Sequence, residues 1–220
     1  MSSGTAGSAH GTTDRLDGRA VRGEATRLRI LDAARDMLVE RGYGGTSTRA
    51  VAERAETQLS LVHYHFGGKQ QLLIAVLDRQ DEQLLERQRR LYAGPGSMSE
   101  KWRTACGFLD HDVESGYVRV LWELWAAGLA DPELAARWRT AMRSWRDLVA
   151  SVFTDWAAEL ELDLPAPPAV LASLVANIFE GIEIELLAGV PERDAPHREA
   201  LEWIGSLIEQ AERDRRARTP

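Results

Sequence analysis

The chain has 220 residues, 44% hydrophobic and 28% charged, which is enough to bury a core in one large domain or two small ones. Its single cysteine, Cys106, excludes an internal disulfide and a cysteine-based metal site, and it fits a reducing, cytoplasmic setting. The net charge of −7 is unevenly spread: residues 1–70 carry ten Lys/Arg against eight Asp/Glu and the remainder seventeen against twenty-six, so a polyanion is expected to meet the N-terminal part alone.

Residues 1–22 are rich in Gly, Ser and Thr and lack apolar periodicity, so they read as a disordered arm. In it Arg15, Arg19 and Arg22 either touch phosphates or a minor groove, or are simply solvated. Met1–Gly11 has no apolar signal core. A first helix follows, with Leu28, Leu31, Ala34 and Leu38 at helical spacing, and Gly42-Tyr43-Gly44-Gly45 stops it. Ser47 caps a short second helix carrying Val51, Ala52 and Ala55. A turn at Glu56–Gln58 leads to a third, about Leu59–Phe66. Gly67-Gly68 breaks it, and a fourth helix runs from Lys69 to about Tyr92.

Gly94-Pro95-Gly96 marks a break. Ser97 and Glu100 have the spacing of a capping box for a fifth helix, which Gly116 ends. A sixth spans about Val118–Leu129. Asp131-Pro132-Glu133 places a cap, a first-turn proline and an acid at the start of a seventh, reaching about Leu162. Prolines 165, 167 and 168 separate it from an eighth, about Ala169–Ala188, and a ninth runs from His197 to about Arg213. Val170–Val190 is the most apolar long stretch, but Glu180, Glu183 and Glu185 within it argue against a membrane span. No segment alternates with period two. The expected fold is all-α, with about nine helices.

Two short helices joined by a tight turn and braced by a longer one make a helix-turn-helix, whose second helix enters the major groove of DNA. The stretch from Ser47-Thr48-Arg49 through Leu59-Ser60-Leu61-Val62-His63-Tyr64-His65-Phe66 to Lys69 resembles the TetR family signature, and the preceding helix through Glu40-Arg41-Gly42-Tyr43 agrees, so the resemblance covers about residues 24–75. It implies a helix-turn-helix DNA-binding domain at 23–70, a ligand-binding and dimerisation domain at 71–215, and a short disordered tail at 216–220. It also implies a repressor that binds a palindromic double-stranded operator as a homodimer and is released by a small hydrophobic effector, with no membrane, cofactor or metal involved.

The chemistry of the motif supports that reading. Ser47 and Thr48 bring hydroxyls and free N–H groups to a helix start, which suits a phosphate. Arg49 offers a fork for guanine edges, Gln58 suits adenine, Leu59 can meet a thymine methyl, and Ser60 lies beside them. His63, Tyr64 and Lys69 are placed to reach phosphates. Three positions depart from the family pattern. Glu56 stands where a glycine tolerates positive φ, at a cost of about 1 kcal/mol. His63 replaces a tyrosine, and both can donate to a phosphate. Thr57 replaces an aliphatic residue. His63 and His65, two apart on a helix, point to different faces, which argues against a metal site; His65 and Phe66 are expected in the small core.

All seven tryptophans lie at or beyond Trp102. Trp102, Phe108, Trp122, Trp125, Trp145 and Phe153 are candidates to line an apolar cavity, against the alternative that they fill a core. In the eighth and ninth helices Leu171, Leu174, Val175, Ile178, Ile182, Leu201, Ile204 and Ile208 form broad stripes expected at a dimer interface. Glu183 reads as a solvated acid, with the cavity or the interface as alternatives. Two other functions stay open: a ligand-responsive activator or a helical interaction module that does not touch DNA, and, least supported, an enzyme on a helical bundle. For the last, His111-Asp112 with Glu114 is the nearest catalytic cluster, but paired Glu-x-x-His motifs, a phosphate loop and a nucleophile beside a base are lacking.

Overall fold

The computed structural model describes the backbone of residues 10–218 and the side chains of residues 21–217. Among these the structure is helical throughout, with no strand: α1 (His10–Gly45), α2 (Thr48–Arg54), α3 (Leu59–Phe66), α4 (Lys69–Ala93), α5 (Met98–Glu114), α6 (Tyr117–Gly128), α7 (Pro132–Leu160), α8 (Pro168–Leu187) and α9 (His197–Arg218). The chain divides into two units, one ending at Val76 and the other beginning at Leu77, so the boundary falls within α4. Leu72, Leu73 and Val76, in the first two turns of α4, are buried and belong to the first unit, which therefore extends past the boundary expected at residue 70.

In the first unit, Ile30, Leu31, Met37 and Leu38 of α1 are buried together with Val51, Val62 and Phe66. Gly42, at φ 67° and ψ −177°, breaks the helical path as its sequence foretells, and Thr46 fastens the turn by donating its hydroxyl to the Gly42 carbonyl at 2.9 Å. The expected arm is in part helix: α1 begins at His10, so residues 10–22 are helical, whereas residues 1–9 lie outside the described residues. Once the buried turns of α1 form, each further residue adds a backbone hydrogen bond without a new nucleus, and a segment with no apolar stripe can still extend the helix. The side chains of Arg15 and Arg19 lie outside the described ones. At the other end, α9 runs through Arg218 where a tail was expected from 216, and residues 219–220 are not described.

In the second unit α7 lies along α8 and α6, and α5 along α9. The caps are those the sequence predicts. Ser97 accepts from the Glu100 N–H while Glu100 accepts from the Ser97 N–H at 2.8 Å, and Asp131 accepts from the N–H groups of Glu133 and Leu134 at 3.0 and 3.1 Å. A distant cap is added by Glu212 of α9. Its buried carboxylate accepts from the Met98 N–H at 2.6 Å and the Ser99 hydroxyl at 2.9 Å, which pins the start of α5.

Candidate functional site

α2 and α3 form the helix-turn-helix. The frame is held by Arg54, whose guanidinium donates two hydrogen bonds to Glu40 at 2.6 Å each and lies 3.6 Å from Asp36, tying α2 to α1. That pairing holds the Glu40 carboxyl below and the Arg54 guanidinium above their ordinary values. In the turn, Glu56 adopts φ 49°, the left-handed conformation expected of a glycine position. Ser47 is the N-cap of α2 and its hydroxyl accepts from the Ala50 N–H at 3.3 Å; it is exposed, as are Arg49, the α3 N-cap Gln58 and, on α3, Leu59, Ser60, His63 and Tyr64, with Thr48 half-buried. Tyr64 is 81% exposed, and an aromatic so placed gains nothing from the unit's own core. His63 Nδ1 sits 3.0 Å from the Gly67 carbonyl at the end of α3. Phe66 is buried and His65 half-buried, both in keeping with a core role.

Lys69 makes a contact that its sequence reading does not include. Its ammonium donates to the Tyr43 carbonyl at 2.7 Å and lies 4.0 Å from the Tyr43 ring centroid, and burial lowers its pKa. It joins the start of α4 to the end of α1, with two further ammonium donors remaining for a phosphate.

The second unit contains a largely apolar cavity lined from α4 to α9. Of the candidates Trp102, Trp145 and Phe153 line it, and Phe108, Trp122 and Trp125 do not. Phe108 lies beneath the Arg87 guanidinium, 4.3 Å from its ring centroid. Trp122 and Trp125 stack with Trp138 in a cluster of tilted and edge-on rings beside the cavity, and Trp125 is more than a third exposed. Trp102 also has a structural role: its indole N–H donates to the Leu201 carbonyl at 2.9 Å.

Four acids line the same cavity: Asp81, Asp112, Glu180 and Glu183. Arg87 pairs with Asp112 at 2.5 and 2.7 Å, Arg146 with Glu180 at 2.7 Å, and Arg137 with Asp81 at 3.3 Å as well as with Asp78. Glu183 is not the solvated acid of the sequence reading. It accepts from the Trp122 indole N–H at 3.0 Å, and its burial raises its pKa to about 7, with Asp112 and Glu180 adding to the rise and the indole bond opposing it. Asp81 and Glu180 are also raised by burial, against their arginine partners. Tyr117 beside them is raised well above its ordinary value by burial, then by Glu183, Asp81 and Asp112.

Residues 30–76 match the family of bacterial regulatory proteins of the tetR type. The helix-turn-helix unit thus resembles that of the TetR family. The transcriptional regulator UidR of Escherichia coli K12 is 24% identical over 88% of this chain and 98% of its own length. The transcriptional repressor Rv3405c of Mycobacterium tuberculosis is 47% identical over a shorter stretch, 25% of this chain and 29% of its own. A transcriptional regulator from Saccharomonospora viridis, solved in complex with choline, has this fold with a TM-score of 0.66 at 17% identity, over 85% of this chain and 95% of its own. With these likenesses the chain is a DNA-binding transcriptional regulator, and its fold is all-helical among the described residues.

The regulator's α8 and α9 sort the expected interface residues into two sets. Val175, Ile182, Leu201, Ile204 and Ile208 face the unit's own core, with Trp102 and Leu109. Leu174 and Ile178 are exposed, and Leu171 is half-buried. The exposed set continues with Val170, Ile184 and Leu187 on α8 and with Trp203, 63% exposed, and Leu207 on α9. Trp203 was missed as an outward residue. Its i,i+4 spacing with Leu207, one face round from Leu201 and Ile208, is the sequence signal for it.

Proposed function

We propose that this regulator is a homodimeric repressor that holds a near-palindromic operator through α2 and α3 and is released when a small hydrophobic effector occupies the cavity of the second unit. The observation that carries the reading is the pairing, in one chain, of an outward helix-turn-helix face with an apolar cavity lined by helices of the other unit. Ser47, Thr48 and Lys69 take phosphate contacts together with His63 and Tyr64, and Arg49, Gln58, Leu59 and Ser60 read bases. The exposed apolar residues of α8 and α9, led by Leu174, Ile178, Trp203 and Leu207, form the dimer contact, since a face of this kind is costly to leave in water. Repression is supported by the mycobacterial repressor's likeness over the DNA-binding stretch, and a small-molecule effector by the choline complex of the Saccharomonospora protein.

The route from cavity to DNA runs through α4. Two cavity acids anchor it: Asp81, on α4, holds Arg137 of α7, and Asp112 of α5 holds Arg87 of α4. An effector that competes for these carboxylates loosens α4, whose first turns belong to the DNA-binding unit. Recognition helices of a dimer must meet successive major grooves ~34–36 Å apart, so a changed spacing lowers affinity. Burial pushes the Cys106 thiol up to about 12, which leaves it a poor nucleophile. No helix among the described residues is long and apolar enough to cross a membrane. A cytoplasmic location is part of the proposal. The test is a gel shift with DNA upstream of the regulator's own gene, comparing the native protein with Arg49→Ala; retention of both alike would remove α2 and α3 from recognition.

A further inference from the structure

The chemical class of the effector is written in the cavity's charges. Four carboxylates line the cavity, and among the described residues no lysine, arginine or histidine does. Asp81, Asp112 and Glu180 each have an arginine partner behind the wall, Arg137, Arg87 and Arg146. Glu183 has no basic partner among the described residues; the neutral Trp122 indole N–H is the donor it accepts from. The cavity therefore carries one uncompensated acid in an apolar setting. An anionic ligand would add a second like charge to it, and a neutral hydrocarbon would leave the first unpaired.

Two more groups have unspent capacity. Gln88 is buried and its side-chain carbonyl oxygen has no partner; Trp156 is buried and its indole N–H has none. Both line the cavity. A hydrocarbon would leave both unmet, whereas a ligand with polar substituents can engage them. Trp145, Phe153, Phe179 and Trp156 supply the aromatic wall, and aromatic faces attract cations as well as apolar groups.

We propose that the effector is a hydrophobic organic monocation whose charged end is held at Glu183 and whose body lies among Trp145, Phe153, Trp156 and Phe179. This rests on the cavity being the effector site. A bound cation replaces the missing partner and stabilises the ionised carboxylate, so affinity is linked to pH. Glu183 titrates at about 7 without ligand. Its charged and titratable surroundings are Asp112 with Arg87, Glu180 with Arg146, Asp81 with Arg137, and Tyr117. Cation affinity therefore rises as pH passes upward through this value and levels off above it, a change of about tenfold between pH 6 and 8.

The experiment titrates the full-length protein with benzyltrimethylammonium, its neutral isostere neopentylbenzene and the anion phenylacetate. Tryptophan fluorescence and operator occupancy are followed together. The cation should bind about tenfold or more tightly than the isostere at pH 8 and phenylacetate weakest. Glu183→Gln, which keeps an acceptor for Trp122, should narrow the cation's advantage to about threefold or less and remove its pH dependence without affecting the isostere. Glu183→Asp should retain the preference in part. Equal binding of cation and isostere, a preference that survives Glu183→Gln, or binding of none of the probes would overturn the inference. Release of operator by cation and isostere alike would overturn it too, yet leave the regulatory reading standing. A Glu183-dependent cation preference with no effect on operator would support the inference and overturn the regulatory reading.

Discussion

The two units of this regulator use their charged side chains in opposite ways. In the first, one arginine, Arg54, is committed to the frame through Glu40 and Asp36, while Arg49, Gln58 and Tyr64 stay turned to solvent. In the second, Arg87, Arg137 and Arg146 are spent inward against acids of the cavity wall, leaving Glu183 without a cation. A face that binds DNA needs free donors at its surface and receives its counter-charge from the partner. A cavity must balance charge within itself, and any charge left over selects what enters.

The largest expected effect separates the two faces of α8. Ile182→Glu places a charge in the core beside Trp102 and Leu201 and should cost more than ~4 kcal/mol, read as loss of the cooperative thermal transition. Leu174→Glu with Ile178→Glu alters the exposed face alone. The variant should keep its helical circular dichroism and fall to monomer mass by light scattering; an unchanged mass would take the dimer contact away from this face.

Next is the charge left over in the cavity. The folded pKa of Glu183 lies above its ordinary value of 4.5, so folding favours the protonated acid and native stability falls as pH rises from about 4.5 to 7, with no further loss above. Glu183→Gln removes that cost. The variant should melt higher than the native protein at pH 8, by on the order of 3 kcal/mol, and the difference should shrink towards pH 5. A difference that does not vary with pH would mean Glu183 is ionised at no cost.

On the DNA face, Arg49→Ala should lose about 1–3 kcal/mol of discrimination between operator and mismatched sites while leaving the melting temperature unchanged. Lys69→Ala should instead weaken binding to every sequence, reduce the salt dependence and lower the melting temperature, since the ammonium also holds the Tyr43 carbonyl. A Lys69 variant that melts like the native protein would leave its bond to Tyr43 without structural weight. The smallest effect is at the turn: Glu56→Gly relieves φ 49° and should stabilise by up to about 1 kcal/mol, partly offset by the freedom glycine adds to the unfolded chain.

What the sequence reveals follows from the range of the interactions. Helix starts and stops are local, so Ser47, Ser97 and Asp131 as caps and Gly42 as a break are legible, as is the turn at Glu56 with its glycine-like conformation. The face proposed for DNA sits on two adjacent short helices, and its residues are read from the motif. The cavity draws on six helices, and no periodicity tells which tryptophan of a stripe faces in. Trp145 and Phe153 line it; Trp122 reaches it only through its bond to Glu183. On α8 the apolar stripe is wider than one contact needs, so the sequence indicates two faces but not which residues belong to each. The arginines that neutralise Asp81, Asp112 and Glu180 come from other helices, so Glu183 as the acid left over is visible only after folding.

The central claim is that cavity and operator are coupled through one equilibrium. The direct measurement is effector affinity, by tryptophan fluorescence, with the protein free and with it saturated by operator. Reciprocity requires that a ligand which weakens DNA binding by some factor be itself bound more weakly, by the same factor, when DNA is present. The account predicts a loss of about tenfold or more on the operator complex, equivalent to ~1.4 kcal/mol or more per site. Equal affinity in the two states would contradict it, because a ligand indifferent to the two states shifts neither.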